Sequence, residues 1–273
     1  MTGLLSADFR KLFKSKSLYV CMFIAAALGV CMSLLYNYFW QERGQNIALW
    51  YAMMNQYGMK TDMLDEALSQ IPSQNLLSYL NVFLSDGAIW LIGAPCICAY
   101  STAEYNAGTY KNTVARGCSR VKLFVSKLTA AVTELLIISF VYLAAGTITA
   151  LPHIELATTL QAGEIAFMAV IYFILIIASA CVFVMLTSVF RRSGFAVAAA
   201  IAAPMLIASL IQIASLASPE LSKLSGYILM NTFVTVQKSV TAGTGLTEMI
   251  TGIAYIAVSG FVGGIIFVKR EVR

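Results

Sequence analysis

The stretch AGEIAFMAVIYFILIIASACVFVMLTSVF, Ala162–Phe190, carries one charge, Glu164 near its start, and runs directly into Arg191-Arg192. A helix of about 20 apolar residues crosses the roughly 30 Å hydrocarbon core of a bilayer, and this run exceeds that length. Five further runs meet the same measure: Leu18–Trp40, Asn81–Ala103, Leu128–Ala150, Phe195–Ala217 and Thr247–Val268. Hydrophobic residues make up 59% of the 273 and charged residues only 11%, with mean hydropathy +0.80. Such a chain cannot cover a water-exposed surface with polar groups. The sequence predicts an all-α, polytopic membrane protein with six transmembrane helices.

The basic residues orient those spans. Arg10, Lys11, Lys14 and Lys16 precede the first; Lys111, Arg116, Arg120, Lys122 and Lys127 lie around the 104–127 connection. Arg191 and Arg192 follow the fourth span, and Lys269, Arg270 and Arg273 follow the last. Together these are 14 of the 18 Lys and Arg, and the other side keeps Arg43, Lys60, Lys223 and Lys238. The positive-inside rule then predicts that both termini are cytoplasmic. The net charge of +5 is read as this topology signal, not as a nucleic-acid-binding surface. Acidic residues such as Glu42, Asp62, Asp65, Glu66 and Glu155 fall toward the outer side, and they contribute little to orientation. The first span is longer than the core of a cleaved signal and is read as uncleaved.

No Pro/Gly/Ser-rich linker separates soluble units, so residues 1–273 read as one membrane domain. The largest outer connection, 41–80, is too polar to span. Within it Met63, Leu64, Ala67, Leu68 and Ile71 recur at helical spacing and predict a short amphipathic helix. A half-apolar stretch, Tyr227–Val236, is too short to cross and is either interfacial or re-entrant. Pro95 and Pro204 fall inside spans as kinks or hinges. Before the first span, residues 1–17 place Leu5, Phe9, Leu12 and Phe13 on one helical face and Arg10, Lys11 and Lys14 on others. That pattern predicts an interfacial helix lying on lipid headgroups; its plainer reading is a basic juxtamembrane flank.

The chemistry of a self-contained enzyme is missing from the sequence. There is no GxxxxGK[ST] to cradle phosphates, no GxSxG elbow, and a single histidine, His153, which cannot build a zinc site alone. Neither cofactor nor metal is expected to bind this chain. Cys21, Cys31, Cys96, Cys98, Cys118 and Cys181 fall in spans or at the basic side and read as small apolar packing residues, not as a disulfide framework. Glu134 is the one ionisable residue deep in a span, where an unpaired charge costs several kcal/mol. It is either a proton or substrate site, or a carboxylate facing the bundle and satisfied by a hydroxyl such as Thr133 or Ser139.

The connection after the second span reads Glu104-Tyr-Asn-Ala-Gly108-Thr109-Tyr-Lys111-Asn, then Arg116-Gly117-Cys-Ser119-Arg120, then Lys127. Gly108 and Gly117 predict turns. This order of Glu, Gly-Thr, basic residue, Ser-Arg and Lys resembles the cytoplasmic loop of ABC-2 type transporter permeases. Six spans, a preceding amphipathic helix and a polar outer loop are similar to that family too. The resemblance implies a permease that dimerises with a second copy or paralogue and docks a separate P-loop ATPase. It implies that segment 104–127 is the coupling element, that Arg191 and Arg192 make a secondary contact, and that ATP and Mg are held by the partner. The cargo would be hydrophobic or amphipathic: a peptide, antimicrobial or drug. Two rivals stand beside this reading. One is a proton-driven secondary transporter using Glu134; the other is a membrane-embedded peptide sensor or immunity protein.

Overall fold

The computed structural model describes residues 2–56, 79–80, 83–84, 87–106, 113–115, 117–153, 162–190, 192–215, 218, 224–241 and 245–269. Regular structure among them is entirely helical. In chain order the principal helices are α1 (Thr2–Lys14), α2 (Lys16–Gln56), α3 (Ala88–Asn106), α4 (Arg120–Ala150), α5 (Ala162–Phe190), α6 (Ser193–Ser215), α7 (Leu229–Thr241) and α8 (Leu246–Lys269). A 3₁₀ turn, Leu151–His153, closes α4.

Five helices are long and apolar enough to cross a membrane: α2 over Lys16–Tyr38, α4 with its closing turn, α5 from Ile165, α6 and α8. The expected second span is the exception. Its apolar helix covers Ala88–Ala103, about 24 Å at 1.5 Å per residue, less than the hydrocarbon thickness. The chain turns at Gly87, whose carbonyl accepts from the amides of Trp90 and Leu91. The helix therefore starts seven residues after the point that hydropathy suggests.

A second correction concerns the outer connection at 41–80. The first helix does not end at Trp40 but continues to Gln56. Hydropathy falls past Trp40, yet Gln-Glu-Arg and Ala-Leu-Trp-Tyr-Ala-Met-Met remain adequate helix formers with no proline among them. The amphipathic segment expected at 63–71 lies outside the described residues. The half-apolar stretch at 227–236 begins on the last residue of a 3₁₀ turn and supplies most of α7. At about 20 Å that helix is too short to span. It packs on α5 and α8, burying Thr232, Phe233 and Val236.

Two helix pairs form the most extensive contacts, α2 with α4 and α5 with α8. Gly29 explains the first. A Cβ at that position would stand 2.5 Å from the Tyr142 carbonyl oxygen and 3.2 Å from the Gly146 nitrogen, so the backbones meet because the side chain is missing. α3 packs against α2, α4, α5 and α6, and the shared core includes Ala25, Ile97, Leu135, Ile138, Tyr142, Leu175 and Phe183.

The reading of all six cysteines as packing residues also fails. Cys21 of α2 and Cys96 of α3 form a disulfide, with Cα atoms 6.6 Å apart. Sequence spacing could not reveal it, since the two sit 75 positions apart and meet only when α2 lies along α3. Cys98 and Cys181 are free and buried, as packing residues would be.

Candidate functional site

Several of the sequence-predicted residues lie in the first turns of α4, which contact α1 and the end of α3 and are bonded to the end of α8. α1 presents an apolar face to α4. Leu12 is completely buried, Leu5 and Phe9 are half-buried, and Phe13 is 49% exposed. The face expected to rest on lipid is thus largely spent on protein, with Phe13 left outward. Leu12→Ala is expected to cost about 2–4 kcal/mol by leaving a cavity at the α1–α4 seam. Phe13→Ser should change stability by less than about 1 kcal/mol. Thermal unfolding of the two variants in one detergent orders them, and equal losses would contradict this packing.

Asp8 shares that face, three positions after Leu5 and four before Leu12, and only 4% of it is exposed. A carboxylate taken from water needs partners. Ser126 of α4 donates to it at 2.6 Å, and the Lys127 ammonium stands 3.5 Å from its other oxygen. That distance is an ion pair more than a hydrogen bond. Lys127 is 3% exposed and lies over the Tyr100 ring of α3, 4.9 Å from the centroid. Tyr100 in turn donates to the Asp8 main-chain carbonyl at 3.3 Å. One buried charge pair therefore binds α1, α3 and α4. Sequence reasoning missed Asp8. Its signal was present: an acid on the apolar face of a helix whose other charges are basic.

Arg120 and Ser119 do comparable work at the α4 N-terminus. Gly117 adopts φ +88°, a conformation that a Cβ disfavours, and it makes the turn expected there. Ser119 is the N-cap of α4, accepting from the Lys122 amide at 3.4 Å. Arg120 donates to the Val268 carbonyl at 2.8 Å, satisfying one of the orphan acceptors at the end of α8. These two members of the motif thus lock one helix start to another helix end.

Glu104 lies in the last turn of α3. Gly108, Thr109, Lys111, Arg116 and Arg191 lie outside the described residues. Arg192 is exposed just before α6, and its carbonyl accepts from Ala196. Arg10, Lys11 and Lys14 line an open groove with Gly3, Ser6 and Ala7, away from the Asp8 face.

Glu134 lies further along α4, 0% exposed, and neither carboxyl oxygen has a hydrogen-bond partner among the described residues. Neither anticipated hydroxyl reaches it. Thr133 donates to the Thr129 carbonyl of its own helix, and the buried Ser139 hydroxyl has no partner among the described residues. Glu248 differs: at the start of α8 it accepts from Ser239, and the helix N-terminus favours its charge. No group of three or more His, Cys, Asp or Glu able to hold a metal ion occurs among the described residues.

Residues 34–273 match the model of a family described as "Protein of unknown function (DUF2705)". No curated protein and no solved structure matches the chain.

Proposed function

The chain belongs to the DUF2705 family, and we propose that it is the membrane-embedded permease subunit of an ATP-binding-cassette exporter. In this reading α3 joins the five longer helices as a sixth span and both termini are cytoplasmic. A hydrophobic or amphipathic cargo crosses the plasma membrane on ATP that a separate P-loop subunit hydrolyses. A second permease copy or paralogue completes the assembly.

The observation that carries the reading is how segment 104–127 is fastened. Its descending end is the last turn of α3, and its ascending end is capped by Ser119, tied to α8 through Arg120 and tied to α1 through Lys127. A docking loop transmits a partner's movement only if it is stiffly joined to the helices that must move. Here α4, into which the loop leads, is joined to α1, α3 and α8. The segment's other basic residues, Lys111, Arg116 and Lys122, would meet an acidic partner surface.

The test is gentle affinity purification of the tagged full chain from its own host, with co-purifying proteins identified by mass spectrometry. A stoichiometric P-loop ATPase is expected with the wild type and lost with Glu104→Lys. Glu104 is the better probe than Arg120, because reversing Arg120 also removes its bond to Val268. A chain that purifies alone sinks the reading. Glu134 favours a second one, a proton-driven transporter, in which transport without any ATPase collapses with an uncoupler and with Glu134→Gln.

A further inference from the structure

α1 spends one face on α4 and leaves the opposite face outward. Gly3, Ser6, Ala7, Arg10, Lys11 and Lys14 are all exposed, and by helical spacing they lie away from the Asp8 and Leu12 side. They line one open groove, with small residues at one end and three cations at the other. Nothing lies within 4 Å of the position a Cβ at Gly3 would take. Asp8, the one acid in α1, turns to the other side, where Ser126 and Lys127 take it up. The outward face is therefore a basic surface with a hollow in it.

The helix that follows sets the depth of that surface. α2 begins at Lys16, and its exposed apolar residues Tyr19, Val20, Phe23 and Ile24 share one face. In a bilayer such a face meets acyl chains. Tyr19 stands three residues beyond Lys16, about 4.5 Å along the axis. The polar layer of one leaflet is about 5–8 Å deep, so the start of α2 lies within it. α1 is held at the same level. The Tyr19 hydroxyl donates to the Phe13 carbonyl at 2.9 Å. The Ser15 hydroxyl donates to the Leu12 carbonyl and accepts from the Leu18 amide, bridging the two helices. Phe13 follows Arg10 by three residues and sets an exposed ring beside the cations. Cations at headgroup depth, bordered by Phe13 and Tyr19, complement a phosphate and the upper part of an acyl chain. A water-borne acidic protein would match the charges and leave the rings unmatched.

We propose that the outward groove of α1 binds the phosphate headgroup of an anionic phospholipid. Arg10, Lys11 and Lys14 form its cationic wall, and Gly3, Ser6 and Ala7 leave the room. Arg10 can hold two phosphate oxygens at once, while the lysines act as point charges. This reverses the seating expected of an interfacial helix. Its apolar face is on α4, so it meets the membrane through its charges. The inference needs only that the chain lies in a membrane, and it stands whether or not an ATPase is the partner.

The experiment is native mass spectrometry of the purified full chain, titrated in detergent with phosphatidylglycerol and, for comparison, with neutral phosphatidylcholine. The wild type should hold phosphatidylglycerol at least about tenfold more tightly, and Arg10→Gln/Lys14→Gln should lose about that factor. Gly3→Glu should also weaken binding, by placing a negative charge in the hollow while every cation stays. Lys122→Gln/Lys269→Gln removes two cations elsewhere and should leave binding unchanged. Every position changed is exposed, so the fold is not at stake. Equal affinity for the two lipids, equal loss in both double variants, or full binding by Arg10→Gln/Lys14→Gln each overturns the proposal. Displacement of the lipid by soluble glycerol phosphate would overturn it too, by marking a site for a free anion. Should the groove variant keep its lipid and lose a co-purifying acidic protein, the face belongs to that protein.

Discussion

Asp8→Asn is expected to destabilise the folded chain by about 3–5 kcal/mol, the cost of leaving a buried ammonium without its counter-charge. Asp8 and Lys127 are 4% and 3% exposed, so water cannot repair the loss as it would at a surface pair. In thermal unfolding this corresponds to a fall of roughly 10 °C for a chain of this size. Lys127→Met should be similarly harmful, since it strands Asp8, although Ser126 still donates to the carboxylate. The double variant Asp8→Leu/Lys127→Met should recover most of the stability, because two apolar residues replace a buried ion pair at little net cost. That non-additivity is the signature of direct pairing. If Asp8→Asn melts with the wild type, the pair does not anchor α1. The same cycle separates fold from function: a stable double variant that no longer supports transport would assign the charge pair to the working cycle.

Gly29→Leu is the second large effect. The new Cβ would lie 2.5 Å from the Tyr142 carbonyl oxygen, 3.2 Å from the Gly146 nitrogen and 3.4 Å from the Ala145 Cβ. Two of these neighbours are backbone, so relief requires α2 and α4 to move apart, not a rotamer change. Overpacking of this kind costs about 1–3 kcal/mol and more where the backbone must shift. Gly29→Ala should already lose part of that. Gly260→Ala in α8 is the internal control: nothing lies within 4 Å of its Cβ position. Its helix propensity improves by up to about 1 kcal/mol. Unfolding temperatures should therefore fall for Gly29→Leu, fall less for Gly29→Ala, and hold or rise for Gly260→Ala. A Gly29→Leu variant as stable as the wild type would rule out this close approach.

How far the sequence carried depended on the range of each interaction. Leu12 was visible as part of an apolar helical face, because faces repeat over four residues. What that face covers was not visible, and lipid was the natural expectation until α4 took its place. Ser119 and Arg120 were singled out through resemblance, whereas their contacts are an N-cap and a helix-end bond to a residue 148 positions away. Glu134 was legible as a misplaced charge, but Thr133 and Ser139 looked able to satisfy it. Only the helix geometry showed Thr133 turned back on its own backbone and the carboxyl left without a hydrogen-bond partner among the described residues. The short second span and the long first helix have a common cause: hydropathy reports solvent preference, while helix ends are set by turns and caps such as Gly87.

The sequence by itself determined the medium, the helical class, four of the six expected spans to within a few residues, and the turn at Gly117. Each follows from a property summed over neighbouring residues, and a bilayer allows few structures besides helices. Tertiary structure alone decided that Cys21 faces Cys96, that Asp8 meets Lys127, that Arg120 reaches Val268, and that no described residue hydrogen-bonds to Glu134. Those outcomes depend on the rotation and depth of each helix against its neighbours. Shapes such as the Gly29 notch set these, and no local average of hydropathy or charge contains them.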